Sequence, residues 1–197
     1  MHDTFLPLPI ITERLRLRSL QLDDAEAIFR IFNNWSVVRF LSSPPWPYTR
    51  EDAEGFVNDV VKRTADDVMR GAELPLAITL NGVLIGSIGP RLRDASHLQA
   101  GPGPNIGFWL GQPFWGHGYM TEAARGLVRQ VFASWTGDAV YCGATAENVA
   151  SLRVQEKLGF IRAGETVLHS RPRGGEFPHV NTVLTRARFG ALAGEQS

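Results

Sequence analysis

A chain of 197 residues with 44% hydrophobic content is long enough for one ordinary domain with a large core. Its 20 basic and 20 acidic residues cancel, which removes any general electrostatic drive toward nucleic acid or an acidic membrane. The single cysteine, Cys142, excludes an internal disulfide framework and a cysteine-rich zinc site, so no metal is expected.

Met1 to Pro9 lacks the basic region and long apolar core of a secretory leader, and no apolar run approaches membrane-spanning length. A cytoplasmic protein is expected, with residues 1–10 as a tail and one domain over 11–190. From Leu15 to Arg18 apolar and polar residues alternate, the pattern of a half-buried strand. Leu22 to Asn34 carries Ala25, Ile28, Phe29 and Phe32 at helical spacing, with Asp23 and Asp24 near its start. Ser42 to Pro47 is a proline-rich break. Thr49 then caps a long helix with Asp52 three residues on, and Phe56, Val57, Val60, Val61 and Val68 are its expected stripe.

Leu76 to Leu80 and Val83 to Ile88 flank Asn81-Gly82, a hairpin signal. Asp94 to Pro104 reads as an exposed loop and Asn105 to Leu110 as the next strand. A helix follows, then a buried strand from Ala139 to Ala144. Asn148 caps a short helix to Leu158, where Gly159 supplies a left-handed exit. Phe160 to Leu168 and His179 to Arg188 are a final strand pair around Gly174-Gly175, and residues 191–197 are an expected tail. The fold class is a mixed-sheet α/β (α+β) domain.

The most telling stretch runs from Phe108 to Ala124: an aromatic strand, a turn with Gly116 and Gly118, then a helix with Met120, Ala124, Leu127, Val128, Val131 and Trp135 on one face. A helix N-terminus has unpaired N–H groups and a positive dipole end, so its glycine-lined entry suits an anion. Gly111 to Gly116 has the outer spacing of a P-loop, but His117-Gly118 stands where Lys and Ser or Thr are needed. A dinucleotide fingerprint would want a third glycine at Thr121. Neither fits.

Trp115-Gly-His-Gly-Tyr-Met-Thr-Glu-Ala123 resembles the signature of the GNAT acyltransferase superfamily, and within it the ribosomal-protein N-terminal alanine and serine acetyltransferases. Thr12 to Arg18 resembles that branch's opening strand and Ile106 to Leu110 its central strand. Asn148 to Ser151 with Glu156 to Phe160 is similar to its second cofactor motif. The resemblance implies a single GNAT-type domain with a splayed central mixed sheet flanked by helices. It also implies acetyl-CoA as cosubstrate, with pyrophosphate on amides around His117, Gly118, Tyr119 and Met120. The pantetheine arm would pair with the strand at Phe108, Trp109 and Leu110, by strand addition. An amide near Leu110 would stabilise the oxyanion.

By the same resemblance Asn148 holds the cofactor arm and Ser151 gives a proton to the departing thiolate; on residue chemistry alone Asn148 is a cap and Ser151 a first-turn residue. The side chains of Trp115 and Met120 are read as core packing. The family's carboxylates are absent: Asn105 and Ser170 stand in their places. His169, His179 or a water relay acting on already neutral amine remain open as the base. Trp46 and Tyr48 either wall the acceptor slot or pack on the core, and Cys142 reads as a core residue. The expected activity is transfer of acetyl to a primary amine, a protein N-terminus or a small molecule, in a ternary complex. The alternative is a catalytically silent acyl-CoA-binding domain. Partners are then acetyl-CoA and the acceptor, with no nucleic acid or membrane, and with monomer and homodimer both open.

Overall fold

Asn81 takes φ 50° and Gly82 φ 82°, so the two-residue turn twists in the sense its flanking strands need. It joins β3 (Leu76–Leu80) to β4 (Val83–Arg93) within a computed structural model that describes residues 6–93 and 103–194. Before this hairpin come β1 (Ile10–Ile11), β2 (Leu15–Ser19), α1 (Asp24–Phe32), α2 (Trp35–Val38), α3 (Arg50–Val61) and α4 (Ala65–Met69). After it come β5 (Gly103–Leu110), a 3-10 turn at Gln112–Phe114, α5 (Tyr119–Ser134) and β6 (Ala139–Thr145). The chain continues through α6 (Val149–Lys157), β7 (Ile161–Ser170), β8 (Gly175–Thr185) and α7 (Arg186–Gly194). The eight strands form one mixed sheet in the order β1-β2-β3-β4-β5-β6-β8-β7. Of the loop expected over Asp94 to Pro104, residues 94–102 lie outside the described residues, while Gly103 and Pro104 already belong to β5.

Strand alternation divides the core between two layers. Leu76 and Ile78 face α5, where Ala124, Leu127, Val128 and Val131 form the expected apolar stripe. Ala77, between them, faces the other way with Leu84, against Ile28 and Phe32 of α1 and Val57 of α3. Burying a side chain such as Leu17 completely contributes about 1.5–3 kcal/mol.

Several elements differ from the sequence reading: β4 runs past Ile88 to Arg93, β7 reaches Ser170 and β8 starts at Gly175 rather than His179, and four further differences have a physical reason. Leu6 and Ile10, in the expected tail, are buried in the main core, and Ile10 pairs with Leu17. The helix capped by Thr49 stops at Val61, which is exposed, because Thr64 and Asp67 form a second capping box that starts α4. Val68 therefore belongs to a separate helix. The last strand ends at Thr185, opposite Ala139, where β6 has no residue left to pair. Arg186 instead starts α7, and its guanidinium donates to the carbonyls of Phe132, Trp135 and Gly137 at the end of α5. Finally, Trp35 to Val38 forms the short helix α2, capped by the Asn34 side chain.

Two features position the site. β5 is hydrogen-bonded to β4 along its whole length, yet its parallel pairing with β6 is one register position, Asn105 opposite Tyr141. Beyond that point the strands diverge. The second feature is a clasp. Glu122, in the first turn of α5, accepts from Thr12 Oγ1 at 2.6 Å and from the Arg14 amide at 2.8 Å, and pairs with Arg14 Nε at 2.6 Å. It ties the turn before β2 to the start of α5.

Burial pushes the Glu122 carboxyl up, but the hydrogen bonds from Thr12 and Arg14 together with the Arg14 charge outweigh it and hold the group below the ordinary 4.5. A carboxyl depressed in the folded state stabilises above its unfolded value and loses that contribution as pH falls through the folded value. Thermal melts are expected to place Glu122→Gln below wild type at pH 7, with the gap shrinking as the pH drops below 4.5.

Candidate active site

Gly116 and Gly118 both take left-handed φ, 79° and 80°, and Gly118 is the N-cap of α5. A β-branched residue cannot adopt this backbone without strain, so glycine is required on conformational grounds before any ligand is considered. The turn delivers the free N–H groups at the start of a 16-residue helix to an open groove.

That groove is a cavity of about 330 Å³ bounded by the end of β5 and the starts of α5 and α6. Phe108, Trp109 and Leu110 form its floor. Gly118, Tyr119 and Met120 close one end, and Asn148 and Ser151 of the α6 start form the opposite wall. Eight of the nine residues expected to hold the cofactor thus come together. His117 does not line the cavity: its exposed ring stacks on Tyr119 with centroids 5.5 Å apart, and its carbonyl accepts from Arg14. Met120 is buried in the core as expected. Trp115 is not. It is 41% exposed, and its indole N–H donates to the Leu110 carbonyl at 2.7 Å, holding the end of β5 against the turn.

Arg14 is the residue at this turn that the sequence did not flag. Its Nη1 donates to the His117 carbonyl at 3.1 Å, its Nη2 lies beside Gly118, and its guanidinium covers the Tyr119 ring at 4.6 Å. The clasp through Glu122 fixes it there, so a permanent positive charge flanks the helix entry.

A second cavity, of about 750 Å³, shares Phe40, Leu41, Phe108, Trp109, Asn148 and Ser151 with the first. Its walls include Tyr48, Asp52 and Asp59 on the α3 side, and Thr166, His179 and Asn181 on the β7–β8 side. Tyr48 is buried, edge-on to Phe32 at 5.0 Å, and its phenol is pushed up to about 12 by burial and then by Asp52. Trp46 instead packs on Trp35 at 5.2 Å and lines neither cavity.

Ser151 sits where the cavities meet. The Asn148 side chain accepts from the Ser151 amide at 3.1 Å, a true cap. A buried chain then orients the hydroxyl: Thr182 Oγ1 donates to Gln155 Oε1 at 2.6 Å, and Gln155 Nε2 donates to Ser151 Oγ at 3.1 Å. Because Ser151 Oγ accepts inside the protein, its own proton is available toward the cavity. Gln155 is 1% exposed, and leaving such an amide unpaired costs about 1–3 kcal/mol, so the chain is held together.

The two histidines separate. His179 is half-buried in the second cavity, with its imidazole packed over Gly143, where any Cβ would collide. His169 is exposed opposite Glu176 and lines neither cavity. Ser170, expected from the resemblance to stand in place of a carboxylate, is 3% exposed and donates to the Leu41 carbonyl at 3.0 Å, binding β7 to the loop after α2. Burial pushes the Cys142 thiol up to about 12, and Sγ donates to the Ile106 carbonyl at 3.1 Å, which suits a core residue and no nucleophile. Among the described residues no cluster of His, Cys, Asp or Glu could hold a metal ion, and no helix is long and apolar enough to cross a membrane.

Residues 14–161 match the family model of the acetyltransferase (GNAT) domain. The chain belongs to the GNAT acetyltransferase family. It is 24% identical over 157 residues to the "Uncharacterized N-acetyltransferase p20" of Bacillus licheniformis, covering 79% of this chain and 83% of that protein. Its fold is similar to that of the microcin C7 self immunity acetyltransferase MccE, solved with acetyl-CoA and AMP: TM-score 0.74, 19% identity, 93% of this chain and 99% of the other. It is similar also to RimL, a ribosomal L7/L12 alpha-N-protein acetyltransferase solved with coenzyme A: TM-score 0.73, 17% identity, 90% and 98% covered. The splayed mixed sheet expected from the sequence is the GNAT fold.

Gly118→Val is expected to weaken coenzyme A binding by more than about tenfold, since it strains the turn and crowds the backbone approach to the cofactor phosphates. Calorimetry on the folded variant checks this; unchanged affinity would remove the turn from the binding site.

Proposed function

We propose that the protein is an acetyl-CoA-dependent N-acetyltransferase that passes the acetyl group directly to a primary amine, a protein N-terminus first and a small amine second. One observation carries the reading: two cavities join at Phe108, Trp109, Asn148 and Ser151, so cosubstrate and acceptor can reach one point from separate spaces. The kinship to RimL supports the α-amine of a polypeptide as the leading acceptor class.

Acetyl-CoA supplies an activated thioester in this scheme. The turn at Gly116–Gly118, the α5 dipole and Arg14 bind its phosphates, and the unpaired edge of β5 binds the arm as an added strand would. An amide at the end of β5 stabilises the charge that develops on the carbonyl oxygen. Ser151, oriented by Gln155 and Thr182, gives its proton to the departing thiolate. No acyl-enzyme is needed, since Cys142 is buried with its thiol protonated.

The test is a screen of primary amines, including Ala- and Ser-initiated peptides, polyamines and aminoglycosides, read by thiol release from acetyl-CoA. Release with formation of an N-acetyl product is expected for at least one class. Tight acetyl-CoA binding with no release for any amine would replace this reading with a silent binding domain. With a productive acceptor, Ser151→Ala is expected to lower kcat by about tenfold or more while acetyl-CoA affinity is retained, because a proton donor acts in the transition state. Full activity with chemistry rate-limiting would assign the donor to water.

A further inference from the structure

An ammonium must lose a proton before it can attack, and the positions where the family keeps a carboxylate hold Asn105 and Ser170. The structure brings a different carboxylate to the same place. Glu73 lies in the segment between α4 and β3, and its backbone is fixed three times. It forms a bridge with Arg91 of β4, its carbonyl accepts from Arg63 Nη1 at 2.6 Å, and the next amide, Leu74, donates to the Pro90 carbonyl at 2.9 Å. Gly89 lets Leu74 come this close, since a Cβ there would collide with the Leu74 carbonyl.

From that anchor the side chain reaches the central strand. Glu73 Oε1 lies 3.4 Å from where a Cβ on Gly107 would be. Gly107 has no positive φ, so its backbone does not call for glycine. A Cβ there would stand in ordinary contact with the Glu73 carboxylate, so the carboxylate lies directly over this face of β5. Asn105 and Gly107 are two residues apart on one strand face, so Glu73 comes to the side of β5 on which a carboxylate at position 105 would project. Glu73, Asn105, Gly107, Phe108 and Ser151 line the same cavity.

We propose that Glu73 is the general base, a carboxylate supplied from the α4–β3 segment in place of one carried on the central strand. This rests on the acetyl-transfer reading above. From Gly107 to Leu110 is about 10 Å along the strand, a span that one amine and one bridging water fill. The acceptor ammonium passes one proton through the water to Glu73. The freed nitrogen pair forms the N–C bond, and the C–S bond breaks with its pair on sulfur. Sulfur takes the Ser151 proton, the second nitrogen proton restores Ser151, and Glu73 releases its proton to solvent. Asp52 and Asp59 of α3, Arg91 of β4, Arg171 at the end of β7 and His179 of β8 line the same cavity and share its field.

The test follows kcat/KM against pH for two productive acceptors, a peptide α-amine of pKa near 8 and an alkylamine near about 10.4. In wild type the rising limb is expected at one pH for both acceptors, because an enzyme group sets it. In Glu73→Gln the rate at pH 7 is expected to fall by at least about tenfold, and the limb to climb about tenfold per pH unit toward each amine's own pKa. Glu73→Asp is expected to keep the shared limb at a reduced rate. Acetyl-CoA affinity by calorimetry serves as the folding control. A wild-type limb that moves with the acceptor overturns the proposal without any variant, and so does a Glu73→Gln profile identical to wild type. Either result leaves acetyl transfer itself intact, whereas failure of every amine removes the parent reading instead.

Discussion

The structure depends on a hydrogen-bonding ladder that stops. β5 and β6 run parallel and touch at Asn105 and Tyr141, and past that point each strand turns toward a different helix. Backbone N–H and C=O groups left inside a fold need partners. The protein supplies a few: the Cys142 thiol for the Ile106 carbonyl and the Trp115 indole for the Leu110 carbonyl. The rest of that strand edge faces an open groove. Both helices that follow these strands, α5 and α6, start at the groove, so two helix N-termini converge on the gap at the carboxyl ends of parallel strands.

In the proposed reaction, divergence also lets the two substrates meet without an acyl-enzyme. A closed sheet would have separate faces. An opened one connects them, and Ser151 stands at the connection because Asn148 starts α6 there. The Thr182–Gln155–Ser151 chain assigns hydrogen-bond direction, with the serine accepting from inside and free to donate outward. The same side chain in an isolated helix would have no preferred orientation. That orientation is a property of the β8–α6 packing.

How much was legible in the sequence follows from how local each signal is. Gly116 and Gly118, the Asn81-Gly82 turn, the Thr49 capping box and the Asn148 cap are fixed by their own neighbours, and each appears where the sequence puts it. The start of α4 was equally local, through Thr64 and Asp67, but Val68 continues the helical spacing and hides the break. The end of β8 was not local at all, since it depends on where β6 runs out. The same holds for the site. Arg14 reaches its turn across more than a hundred residues, and Glu73 reaches β5 from a segment with no motif. No residue in the sequence marks that approach, since a glycine in a strand such as Gly107 has several causes. His169 and His179 were alike by composition; only the strand pairing separates an exposed residue from one in the cavity.

The central claim is that the edge of β5 freed from β6 is the surface on which the cosubstrate arm lies. Amide hydrogen exchange on Phe108, Trp109 and Leu110, with and without saturating acetyl-CoA, addresses it most directly. Pairing of the arm with this edge predicts slower exchange at Phe108 and Leu110, whose N–H groups point away from β4, together with protection at the Gly116–Met120 turn. Protection at the turn alone, with exchange at Phe108 and Leu110 unchanged at saturation, would contradict it.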